Sequence, residues 1–124
     1  MEIINTNNAP APIGPYSQAT VAGNFVFVSG QIPLNPATGE LVTSGIKDEA
    51  VLVMENIKAI LTEAGIGFAN VVKTSIFLTD LGNFGQVNEV YGTYFTSNFP
   101  ARETVQVSAL PKGVNVEISV IAVK

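Results

Sequence analysis

The chain contains no cysteine, no histidine and no tryptophan, and Arg102 is its only arginine. Without thiols there is no disulfide, no thiolate nucleophile and no cysteine zinc site. Without imidazole there is no Ser-His-Asp triad and no phosphohistidine relay. Acid–base chemistry is left to ten carboxylates, three tyrosines, the lysines and water. Charge is sparse as well: 13% of residues are charged, with a net charge of −4 and a pI near 4.6. The lysines (Lys47, Lys58, Lys73, Lys112 and Lys124) are scattered, so no basic stripe offers counterion release to a phosphate backbone. Nucleic acid is not the expected partner. No apolar run approaches the roughly 20 residues that span a bilayer, and Met1–Asn8 lacks the pattern of a signal peptide. A cytoplasmic location with no membrane partner is expected.

What is present is apolar. Hydrophobic residues make up 47% of the 124, and the mean hydropathy is +0.36. No repeat, linker or charge block divides the chain, so residues 1–124 read as a single domain. The apolar excess is high for a lone small domain and points to surface covered by other subunits.

The Pro-rich stretch Ala9–Tyr16 must be extended or turning, since each proline disfavours helix at its predecessor. Ser17–Ala22 and Asn24–Ser29 read as two short strands around Gly23, and Pro33–Glu40 as a loop. Apolar residues recur at helical spacing from Ile46 to Ala64, with Asp48 and Glu49 at the start and Gly65 at the end. Val71–Thr79 reads as a strand, and Phe84, Val87, Tyr91 and Tyr94/Phe95 outline a second helix that ends before Pro100. Arg102–Ser108 and Val114–Val123 read as two final strands around the turn Leu110–Gly113. This order implies an α+β fold: a mixed sheet with both helices packed on one face. The other face needs a cover, a second pointer to an oligomer.

Read as a hairpin with Pro111 and Lys112 at its turn, the final strands set Thr104 opposite Ser119. Arg102, Thr104, Gln106, Glu117 and Ser119 then share one face. A guanidinium there could bind a carboxylate bidentately, and a glutamate could hold or deprotonate water. The plainer reading is a solvated ion pair of little energetic weight. Gly30, after a buried strand, allows close backbone approach, and its neighbours could offer N–H groups to an anion. Tyr16 could present a phenol at a loop edge. Asn88 reads as a solvent-facing or capping amide.

The blocks Ala9–Ala19, Ser29–Pro33, Pro100–Arg102 and Val116–Ile118, with Val71–Thr74 and Val87–Tyr91 between them, resemble the RidA family from Asn8 to Lys124. The resemblance implies a chorismate-mutase-like fold and a homotrimer with a central barrel and sites in clefts between subunits. It also implies cofactor-free hydrolysis of 2-imino (enamine) acids to 2-keto acids and ammonia, with no metal. On this chain the family's carboxylate-binding arginine matches Arg102 and its water-handling glutamate matches Glu117. The substrate-flanking tyrosine matches Tyr16, and the site serine and glycine match Ser29 and Gly30. Many members carry cysteine where this chain has Thr104, whose backbone N–H can still meet the substrate carboxylate. Two other roles stay open: an RNA-cleaving translation inhibitor, and a non-catalytic binder of small keto acids or regulatory partner.

Overall fold

The most apolar strand takes the middle of the sheet. Val116, Ile118, Val120 and Ala122 alternate with half-buried residues along Val116–Val123, and a strand of that kind needs neighbours on both edges. In the computed structural model, which describes residues 1–124, the elements run β1 (Glu2–Ile4), β2 (Ala19–Ala22), β3 (Phe25–Gln31), α1 (Ile46–Glu63), β4 (Val71–Leu78), α2 (Phe84–Tyr91), β5 (Ala101–Gln106) and β6 (Val116–Val123). The strands form one sheet in the order β1-β2-β3-β6-β4-β5. All neighbours are antiparallel except β4 and β5, which are parallel and joined through α2. This is the α+β architecture implied by the sequence.

The last two strands do not form the expected hairpin. β5 pairs with β4 alone, and β4 separates it from β6. The reason lies in composition. β5 (Ala-Arg-Glu-Thr-Val-Gln) is mostly exposed and suits an edge, where charged side chains discourage stray pairing. The apolar β4 and β6 satisfy each other instead.

Helix α1 lies across the sheet and buries Val53, Ile57, Ile60 and Leu61 completely. Each such side chain contributes about 1.5–3 kcal/mol through removal from water. Asp48 at its first turn accepts a 2.7 Å hydrogen bond from the Ser44 hydroxyl. At its other end Gly65, with φ +79°, lets the Gly65 and Ile66 N–H groups close on Thr62 and Leu61 carbonyls. Helix α2 is shorter than expected. It stops at Tyr91, and Gly92–Tyr94 leave in a turn where Thr93 Oγ1 donates to the Val90 carbonyl. Phe95 returns to the core against Tyr91, with ring centroids 4.6 Å apart.

The opposite sheet face carries no helix. Phe25 and Phe27 are 48% and 43% exposed there and stack at 6.2 Å, with Ile3, Val72 and Val105 also exposed. No helix is long and apolar enough to cross a membrane.

Candidate functional site

Two clusters of polar groups stand out, and the sheet separates them. The first is on the helix-free face. Between β3 and β6 the register shifts: Val28 pairs with Val120, but Gln31 pairs with Ile118. Ser29 and Gly30 therefore oppose Ser119 alone, a β-bulge that turns both residues outward beside Glu117. A Cβ on Gly30 would lie 2.6 Å from Glu117 Oε2, so only glycine leaves room for the carboxylate against the strand. Ser29 Oγ donates to the Ser17 carbonyl at 2.6 Å, which fixes the bulge against the segment that carries Tyr16. Tyr16, Ser29, Gly30 and Glu117 line one cleft of about 500 Å³ with Lys112 at its wall. Glu117 is half-buried, and that burial raises its proton affinity above the ordinary carboxylate range.

The second cluster is at the β5 edge on the helix side. Arg102 shares a register row with Thr74, and Thr104 with Ile76, both inward-facing residues of β4. Glu117 pairs with Phe77 on the other face. The expectation that Arg102, Thr104 and Gln106 share a face with Glu117 and Ser119 is therefore incorrect. It assumed direct pairing of β5 with β6, whereas the parallel register on β4 sends these side chains to the helix side. The ion-pair reading falls with it, because the ion pairs are Lys47–Glu89 and Lys73–Glu103.

Arg102 is held by α2 instead. Its Nη1 donates to Asn88 Oδ1 at 2.8 Å, and its guanidinium carbon lies 4.9 Å from the Tyr91 ring centroid and 5.5 Å from that of Phe84. Tyr91 is itself fixed by donating to Thr74 Oγ1 at 3.1 Å, and burial raises its proton affinity. Arg102 and Asn88 open onto a second cleft of about 700 Å³ with Phe99 and Pro100 at its side. Four guanidinium N–H groups remain free for a ligand. Thr104 Oγ1 is buried without a hydrogen-bond partner.

Several positioning residues escaped the sequence reading. Asn88 is exposed, as expected, yet it orients Arg102. Its spacing carried the signal: Phe84, Asn88 and Tyr91 fall on one helical stripe, and all three meet the guanidinium. Gln18 is buried and donates to the Thr6, Ala9 and Pro10 carbonyls at 2.9–3.2 Å, clamping the segment ahead of Tyr16. Asn56, buried in α1, donates to the Ile32 and Leu34 carbonyls behind the bulge. Glu49, also buried, accepts from Asn115 N and Nδ2 at 3.2 and 2.9 Å, which anchors the start of β6 two residues before Glu117. Gln18, Asn56 and Glu49 are each a buried polar side chain that satisfies backbone no secondary structure reaches.

The chain is similar to known proteins over nearly its whole length. Residues 6–124 match the family model described as endoribonuclease L-PSP. A RutC family protein of Pyrococcus horikoshii is 54% identical over 123 residues, which cover 99% of this chain and 98% of that one. The 2-iminobutanoate/2-iminopropanoate deaminase of Rattus norvegicus is 50% identical over 123 residues, covering 99% of this chain and 90% of its own. The crystal structure of E. coli TdcF with bound serine matches with a TM-score of 0.96 at 45% identity, over 100% of this chain and 99% of that one. With the family model spanning nearly the whole chain and relatives this similar, the chain belongs to the RidA family.

Proposed function

We propose that this protein hydrolyses small reactive 2-imino (enamine) acids to 2-keto acids and ammonia, at sites built between copies of a homotrimer. The observation that carries this reading is the separation of Arg102 from Glu117 by the sheet. Each cluster is half of a site. The Glu117 side offers a base and a cleft, and the Arg102 side offers an anion clamp at an unpaired strand edge. Bringing the β5 edge of one copy over the uncovered face of the next completes the set and covers Phe25 and Phe27. The half-identical deaminase of the rat supports the substrate class.

In this mechanism Arg102 of one copy takes the substrate carboxylate through its free N–H groups. The backbone adds to the clamp. Val107 N donates to the Leu78 carbonyl of β4, so alternation along the strand turns the Thr104 N–H to the open edge, toward the same carboxylate. Glu117 of the next copy removes a proton from water as its oxygen bonds to C2 of the iminium. The resulting carbinolamine carries one hydroxyl and one amino group. Glu117 then returns the proton to nitrogen, the C–N bond breaks and ammonia leaves. The carboxylate so regenerated takes the hydroxyl proton as the keto group forms, and passes it to solvent. A carboxyl with raised proton affinity serves both steps better than an ordinary one. Tyr16 and Ser29 shape the remaining wall. The chemistry is undemanding, so orientation and charge supply most of the acceleration.

The direct test couples the protein to a dehydratase that generates 2-aminoacrylate or 2-iminobutanoate and follows keto-acid release above the spontaneous rate. Acceleration that Arg102→Ala abolishes supports the reading. Binding without acceleration makes the protein a keto-acid binder, and cleavage of RNA under low salt favours a nuclease.

A further inference from the structure

The turn before β6 holds a residue that fits its backbone poorly. Lys112 and Gly113 adopt φ +58° and +71° in succession, and the Val114 N–H closes on the Pro111 carbonyl at 3.3 Å. Two consecutive left-handed residues of this kind are ordinarily glycine, asparagine or aspartate, because a Cβ crowds the following carbonyl. The other non-glycine residue with positive φ is Asn98, a usual occupant. A lysine at this position gains nothing for the turn. Lys112 lines the cleft of Glu117, Tyr16, Ser29 and Gly30. It is also unspent, since Lys47 and Lys73 are engaged with Glu89 and Glu103 while Lys112 makes no ion pair.

These observations meet at one physical problem. The protein carries a net charge of −4, so an anionic ligand is repelled on approach, and the cleft it would enter already contains a carboxylate. A cation at the wall of a cleft focuses the field there and reverses the local sign. We infer that Lys112 is a specificity-determining residue of the Glu117 cleft, whose ammonium group selects small carboxylate ligands over neutral analogues and raises their capture. The inference rests on the proposed reading of that cleft as the place where the acid binds. Lys112 does not replace Arg102: a lysine is a point charge that attracts, whereas the guanidinium fork orients.

The turn supplies a clean variant. Lys112→Gly suits the positive φ, so the fold should be kept or strengthened, seen as an unchanged or higher Tm. The experiment measures 2-oxobutanoate and 2-oxobutanamide binding by titration calorimetry, and imine turnover in parallel, for wild type, Lys112→Gly, Lys112→Arg and Lys112→Glu. At about 0.01 M salt, where screening is weak, Lys112→Gly is expected to bind 2-oxobutanoate about three- to tenfold less tightly. Its affinity for the neutral amide should not change. KM should rise by a similar factor while kcat holds, Lys112→Arg should stay near wild type, and Lys112→Glu should lose more than Lys112→Gly. The difference should vanish at about 1 M salt. Equal 2-oxobutanoate affinity in wild type and Lys112→Gly at low salt overturns the inference, as does a wild type that does not bind the anion at all. Binding that shows these differences without any acceleration of imine hydrolysis upholds the role of Lys112 and refutes the proposed reaction instead.

Discussion

Glu117 Oε2 lies 2.6 Å from the point a Cβ on Gly30 would occupy, so this carboxylate rests against bare backbone at a bulge. Gly30→Ala should therefore displace Glu117 without harming the fold. The clash is with the end of a flexible side chain that can swing toward solvent. Thermal melting should change little, with less than about 1 kcal/mol lost, whereas turnover should fall at least about tenfold. A fully active Gly30→Ala variant would show that the position of Glu117 does not matter.

Glu117→Gln keeps the shape and removes the base. Turnover should drop about 100- to 10,000-fold while 2-oxobutanoate still binds. In wild type, kcat/KM should rise with pH through an ionisation above the ordinary carboxylate range, and the variant should lack that limb. Stability follows from the same shift. Burial makes the folded chain hold this proton more tightly, so the associated stability is present below the ordinary carboxylate range and is lost as pH rises through the folded value. At neutral pH Glu117→Gln should melt no lower than wild type. A large drop in Tm would assign Glu117 a structural role.

Asn88 positions Arg102 through one 2.8 Å hydrogen bond. Asn88→Ala should leave the guanidinium on its aromatic shelf but free to swing. We expect KM and the 2-oxobutanoate Kd to rise about three- to tenfold, the worth of one ordinary hydrogen bond, because the exposed guanidinium keeps its aromatic contacts, with Tm unchanged. Asn88→Asp should tie the arginine down and weaken carboxylate binding further. Unchanged binding in both variants would remove Asn88 from the site.

The uncovered face implies assembly. Sedimentation equilibrium at micromolar concentration should give a mass three times the 13.0 kDa of one chain. Phe27→Lys, which puts a charge into that face, should dissociate the assembly and abolish activity together. An active single chain would contradict the shared-site account.

Much of this was legible in the sequence, and what was lost has a definite cause. Helix α1 could be read almost to the residue, because a long apolar stripe, an acidic first turn and Gly65 all agree. Tyr16, Ser29, Gly30 and Glu117 do meet in one cleft. The error came at the partner of β5. Pro-Lys-Gly signals a turn, but local chemistry does not say which strands flank it. The polar composition of Ala101–Gln106, read as one face of a hairpin, was the mark of an edge strand. Parity did the rest: choosing β6 instead of β4 as partner moves Arg102 to the wrong face. Gln18, Asn56 and Glu49 were invisible for another reason, since each bonds backbone outside its own element.

Subunit mixing tests the central claim most directly. Arg102→Ala and Glu117→Gln should each be inactive alone, because every site in either assembly lacks one group. Unfolded together in equal amounts and refolded, they should form mixed rings in which some sites draw Arg102 from one variant and Glu117 from the other. One ordered neighbour pair in four then has both groups, so about a quarter of wild-type activity should return. A refolded mixture no more active than the separate variants would show that Arg102 and Glu117 do not act across a boundary between copies.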